Sequence, residues 1–192
     1  MDTRTGKTTR RPRADSLRNR ERLLEAATQI FSQGGPQASL EAVARLAGVG
    51  IGTLYRHFPT REALFEAVYR HEVEHLADLA GELATGSDPV EALRTWLHAN
   101  VRLVAAKKGM IEGLQLVAHG SSELKAYSLE RLTQAIALLR ERAVAAEAIR
   151  ADVTAEDLLR TLLGIFYSQG PVDWQPTALR MVDVFVDGLR KR

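Results

Sequence analysis

The side chains with the most obvious chemical potential lie at His71-Glu72-Val73-Glu74-His75, which spells H-E-x-x-H. On a helix, two histidines four apart share a face and can hold one zinc ion, with the adjoining glutamate as general base, the arrangement of zinc peptidases. A working site needs a third protein ligand. The extended motif would place glycine and a third histidine where Asp78 and Gly81 stand, and Glu91 and His98, the remaining candidates, fall on another helix. A zinc metallohydrolase is therefore only an alternative, and no metal is expected. The chain contains no cysteine, which removes thiolate nucleophiles, disulfides and cysteine metal sites together. There is no G-x-S-x-G elbow. Gly48-x-Gly50-x-Gly52 lacks the spacing and the preceding strand of a dinucleotide-binding loop. The expectation is a protein without catalytic residues or cofactor.

A second group points to nucleic acid. Thr53, Tyr55, Arg56 and His57 lie close together, with Arg45 shortly before them; these residue types hydrogen-bond base edges and phosphates. Net charge supports the same end of the chain. Residues 1–60 carry ten Lys and Arg against five Asp and Glu, and residues 61–192 carry sixteen against nineteen. A basic head on a mildly acidic body suits a polyanionic partner.

The elements that must position these groups are helices. Leu23, Leu24, Ala27, Ile30 and Phe31 recur at helical spacing from Ser16 until Gly34-Gly35-Pro36. Ser39 is placed to cap a short helix through Ala47, Gly48 can take the left-handed turn, and a third helix runs from Gly50 to Phe58 before Pro59. Leu40, Val43, Leu46, Val49, Leu54 and Phe58 should form a small core, with Ala44 small enough to let the third helix approach. Thr60 opens a helix to about Ala84, Asp88-Pro89-Val90-Glu91 opens one to about Lys107, and Ser121 or Ser122 opens one to about Ile149. Thr154 and Asp157 cap a helix to about Ser168, and Pro176 sits near the start of the last. A segment from Gly109 to Gly120 is the candidate moving part. The predicted fold class is all-α, with about nine helices. The predicted divisions are a disordered basic arm at 1–15, a helix-turn-helix at 16–60 and a helical ligand-binding and dimerisation domain at 61–192. No apolar run reaches membrane-spanning length, and the lack of cysteine fits a reducing cytoplasm.

The stretch from Ser39 to Val68, SLEAVARLAGVGIGTLYRHFPTREALFEAV, preceded by RERLLEAATQIFSQGG from Arg20, resembles the DNA-binding signature of the TetR (tetracycline repressor) family. The resemblance implies that the third helix enters the major groove and that the protein is a homodimer whose body binds a small ligand. Arg56 and Thr53 are then the expected base readers, and Arg45 a further one. Tyr55, His57 and Thr60 are expected on phosphates, Ser39 belongs to the expected DNA-binding set, and Arg61 stands where the family carries a phosphate-binding lysine. Gly50 departs from the pattern, because many members have a capping serine there. Arg10, Arg11 and Arg13 could follow the DNA backbone or its minor groove.

The last two helices are apolar around much of their circumference, and the family forms a four-helix dimer interface from them. That assigns Leu158, Leu162, Ile165, Phe166, Val182, Phe185, Val186 and Leu189 to a partner. Trp96, Asn100, Met110, Gln115, His119, Tyr127, Phe166 and Tyr167 mix apolar and polar character and are the expected ligand contacts. The expected function is a sequence-specific transcriptional regulator, a repressor released from a palindromic double-stranded DNA operator by a small molecule. The alternatives are a ligand-independent architectural DNA-binding protein and the zinc hydrolase above.

Overall fold

The computed structural model describes residues 10–34, 38–86, 88–106, 122–167 and 174–191. Among them are eight helices: α1 (Arg10–Gly34), α2 (Leu40–Leu46), α3 (Ile51–His57), α4 (Arg61–Leu83), α5 (Pro89–Ala106), α6 (Ser122–Ala145), α7 (Ala155–Tyr167) and α8 (Trp174–Leu189). The only extended pairing among the described residues is an isolated bridge between Ile149 and Arg190. The fold is all-α, as expected. No described helix is long and apolar enough to cross a membrane.

Local chemistry sets the helix starts. Ser39 Oγ accepts from the Ala42 amide and Thr60 Oγ1 from the Ala63 amide. Asp88 Oδ1 takes the Val90 and Glu91 amides, leaving Pro89 at the first helical position, where a missing N–H is no loss. Thr154 and Asp157 form a reciprocal capping box.

α1 begins at Arg10, earlier than its apolar periodicity indicates, so residues 10–15 of the expected arm are helical. Pro12 is compatible with a first turn, and Asp15 pairs with Arg18 one turn on. Residues 1–9 and the Gly109–Gly120 segment lie outside the described residues. α6 stops at Ala145, short of the expected Ile149. Glu147 there has a left-handed φ of 52°, and Ala148 and Arg150 bond across to Lys191 and Leu189 instead.

The buried side chains form two clusters. The first joins Leu23, Leu24, Ala27 and Phe31 of α1 to Leu40, Val43 and Ala44 of α2, Leu54 of α3, Phe58, and Leu64, Phe65 and Val68 of α4. Phe31 and Phe65 stack with centroids 4.3 Å apart. The second joins α5, α6, α7 and α8, with Ala80 from the far half of α4. The small core thus runs past the boundary expected at residue 60, and α4 is the rod shared by both. Leu46, expected inside, is 48% exposed; the buried stripe of α2 runs through Leu40, Val43, Ala44 and Ala47, and helical spacing leaves Leu46 off that face.

The second core also takes up much of the expected dimer set. Leu158, Leu162, Ile165, Val182, Val186 and Leu189 are buried in the chain's own core. Both helices are apolar on more than one side, and their strongest stripe is used by their own body. Phe166 and Phe185 are half-buried against the same core. What faces outward is Leu163 on α7 and Met181 and Val184 on α8, the last 73% exposed. A Cβ built on Gly164 or Gly188 would meet nothing.

Candidate nucleic-acid interface

α2 and α3 are joined by Ala47 to Gly50. Gly48 has φ +67°, the left-handed region where a side chain is strained. The turn is closed by the Gly48 amide on the Arg45 carbonyl (3.1 Å) and the Val49 amide on the Ala44 carbonyl (3.0 Å). Val49 packs half-buried against the small core. Gly50 caps α3 with ordinary extended torsions and no side-chain bond, so its departure from serine removes a contact without being required by the backbone.

α3 is two turns long and its sides differ sharply. Leu54 is fully buried and Phe58, just beyond, is 3% exposed, which pins the helix to the core. Tyr55 and Arg56 are exposed, and Thr53 and His57 half-exposed. Arg56 folds back along its helix, donating to the Gly52 carbonyl at 3.1 Å and the Thr53 hydroxyl at 3.2 Å. The guanidinium is therefore held beside Thr53 and could exchange these two bonds for others.

The rest of the expected set lies around this helix. Arg45 is exposed in the last turn of α2. Ser39 and Thr60 are exposed, and both already serve as caps. The Ser39 hydroxyl also donates to Glu41 at 2.7 Å and, with backbone help and Arg61 nearby, holds that carboxyl below the usual carboxylate range. Arg61 is half-buried and donates to the Ala38 carbonyl at 2.8 Å, tying α4 to the start of α2. Arg20 of α1, not singled out from the sequence, lies over the Phe58 ring at 5.4 Å. Nothing local to Arg20 signals that contact.

Those of the expected ligand contacts that are described are engaged in helix packing. Trp96 is fully buried and donates from Nε1 to the Leu76 carbonyl at 2.8 Å. Asn100 is buried and donates to the Trp96 carbonyl. Tyr127 donates to Glu74, which also pairs with Arg131, while Arg70 covers its ring at 4.6 Å. Phe166 meets Trp174 edge-on at 6.0 Å. These are core and inter-helix contacts, made because mixed polar and apolar groups serve helix packing as readily as a cavity. Met110, Gln115, His119 and the Tyr167 side chain lie outside the described residues. An open groove does run between α4 and α5, lined by Glu72, His75, Leu76, Asp78, Leu79, Glu82, Ala99, Arg102 and Leu103.

The H-E-x-x-H glutamate is already engaged: Glu72 accepts from the Thr28 hydroxyl of α1 at 2.9 Å. Glu91 meets Arg94 and Arg190, and His98 lies beside Asp183. Neither of the third ligands considered from the sequence joins the histidine pair.

Comparison with known proteins agrees with this geometry. Residues 23–68 match the model of bacterial regulatory proteins of the tetR family, and residues 88–191 that of the SbtR-like transcriptional regulator C-terminal domain. A TetR transcriptional regulator of Streptomyces coelicolor is 41% identical, with a TM-score of 0.78 over 89% of this chain and 98% of that one. The chain belongs to the TetR family of helix-turn-helix transcriptional regulators. A TetR regulatory protein of Mycobacterium vanbaalenii is 34% identical, with a TM-score of 0.75 over 94% of this chain and 99% of that one. Similarity to the transcriptional repressor KstR of Rhodococcus jostii is 37% over 84 residues, 43% of this chain and 39% of that protein. The match to the regulator UidR of Escherichia coli K12 is also 37%, over 38% of this chain and 35% of that one. This TetR-family chain thus spans about two-fifths of the length of the curated relatives it matches.

Proposed function

We propose that this TetR-family regulator is a twofold dimeric repressor that reads a palindromic operator with α3 and leaves it when a small molecule binds the body. The observation that carries the reading is the division of α3: Leu54 and Phe58 are locked in the core while Thr53, Tyr55 and Arg56 are turned out beside the exposed Arg45. Arg56 is suited to bidentate bonding with guanine, the Thr53 methyl to a thymine methyl, and Tyr55, His57, Thr60 and Ser39 to phosphates. Repression is supported by the name of the Rhodococcus relative, whose match is partial. The outward ridge of Leu163, Met181 and Val184, with open glycines at 164 and 188, supports a dimer through α7 and α8. The groove between α4 and α5 supports a ligand site of mixed polarity, adjoining the helix shared by both cores.

Selection of bound duplexes from random DNA, repeated across a salt series, tests the central part. The expected product is a twofold-symmetric motif with half-sites about one helical turn, or roughly 34 Å, apart. Recovery of no motif, or of a single asymmetric half, would overturn it.

A further inference from the structure

Three donor side chains from two helices come together where the head meets the body. Glu21 of α1 and His71 and His75 of α4 each offer one ligand atom, all within 4.8 Å of one another. His71 Nε2 lies 3.5 Å from Glu21 Oε1. Two ligands of a tetrahedral zinc ion at about 2.0–2.1 Å must stand roughly 3.4 Å apart, so that pair already has the separation an ion requires. The imidazole rings of His71 and His75 are 4.3 Å apart between centroids, one turn removed on the same face. Glu21 and His75 are exposed, which gives an ion access from solvent.

We propose that Glu21, His71 and His75 form a site for a divalent late transition metal, zinc or nickel in kind, which clamps α1 to α4 and thereby regulates operator binding. Two imidazoles and one carboxylate select such ions over magnesium and calcium, which take all-oxygen sets. The site is a regulatory one. Glu72, the base a peptidase would use, is bonded to Thr28 and makes a second tie between the same two helices. The position gives the clamp its leverage. Tyr69 is the last α4 residue packed against the head core and Ala77 the first packed against the body core, so residues 71 and 75 occupy the span between them. An ion there fixes the angle at which the reading head leaves the rod. The regulatory half of the proposal rests on the operator-binding reading above; the metal site itself does not.

Full-length protein stripped with a chelator is titrated with Co²⁺, read by its visible absorption, and with Zn²⁺ against a chromophoric competitor. One ion per chain is expected, with excess Mg²⁺ failing to compete. His75→Ala and Glu21→Gln, both at exposed positions, should each weaken Zn²⁺ by about tenfold or more while keeping wild-type helix content. Binding by the wild type no tighter than by His75→Ala, or unchanged by Glu21→Gln, would overturn the site. The selected operator duplex is then titrated with and without Zn²⁺. A change in affinity of about fivefold or more is expected, absent in Glu21→Gln, with operator shifting Zn²⁺ affinity by the same factor. Zn²⁺ bound at the site with operator affinity unaltered would overturn the regulatory half. Operator binding by chelator-treated wild type and Glu21→Gln alike keeps the α3 reading separate from this one.

Discussion

The two cores of this regulator are built differently. The head closes on itself: Leu23, Phe31, Val43, Leu54, Leu64 and Val68 are all fully buried, and the outward side of α3 presents a hydroxyl, a phenol, a guanidinium and an imidazole. The body buries one stripe of α7 and α8 against α5 and α6 and leaves a second apolar ridge in Leu163, Met181 and Val184. An outward polar face is complete until it meets something polar. An outward aliphatic ridge beside bare glycines is a surface whose burial another helix can still supply. On the function proposed above, the difference separates two kinds of recognition, hydrogen-bonded reading at one end and apolar self-association at the other.

The comparison is tested most severely by Phe31→Ala. Losing a fully buried ring that stacks on Phe65 should destabilise the head by about 3–5 kcal/mol, abolishing operator binding while sedimentation still reports a dimer. If the dimer is lost as well, the two cores do not stand apart. Val184→Asp is the converse. It should weaken the dimer by about 2 kcal/mol or more, roughly thirtyfold in Kd, with the helix content of each chain retained. A dimer of unaltered strength would move the interface off this ridge.

Smaller effects sharpen the reading end. Arg56→Ala should relax one operator position by about 1–3 kcal/mol without lowering the melting temperature. A uniform loss across sequences would instead make Arg56 a phosphate contact. Ser39→Ala removes the cap of α2 and should lower stability by about 1 kcal/mol, read from the denaturant midpoint.

The smallest effect is in acid. Hydrogen bonds from Arg131 and then Tyr127 hold Glu74 below its ordinary value of 4.5, so its contribution is present above that pH and is lost as pH falls through the lowered value. For a pair this exposed the contribution is about 1 kcal/mol or less. The stability curves of wild type and Glu74→Gln should separate at neutral pH and converge below pH 4.5; parallel curves would show that the α4–α6 link adds nothing through charge.

How much of this was legible beforehand follows distance along the chain. Gly48, the Ser39 and Thr60 caps, the Asp88 and Thr154 capping pairs and the inward Leu54 and Phe58 are decided by neighbours within a few residues, and each was readable. The start of α1 was missed because residues 10–15 carry no apolar stripe and their helix is a continuation of the one behind it. Six of the eight residues expected at a dimer interface pack in the chain's own core, since hydrophobicity marks a helix side as buried without saying by whom. The expected ligand contacts raise a related point: Trp96 and Asn100 look alike in sequence whether they line a cavity or fill a core. Glu21 was invisible as a partner of H-E-x-x-H, being fifty residues upstream of His71.

By itself, then, the order of residues determined the all-helical class, the turn between α2 and α3 and the polar character of the reading surface. These depend on backbone torsions, capping and periodicity, which act over one or two turns. Only the assembled molecule decided which apolar stripe stayed outside, that α4 serves both cores, and that a carboxylate of α1 meets two imidazoles of α4. Those outcomes depend on which faces of distant helices reach each other first, and packing settles that globally.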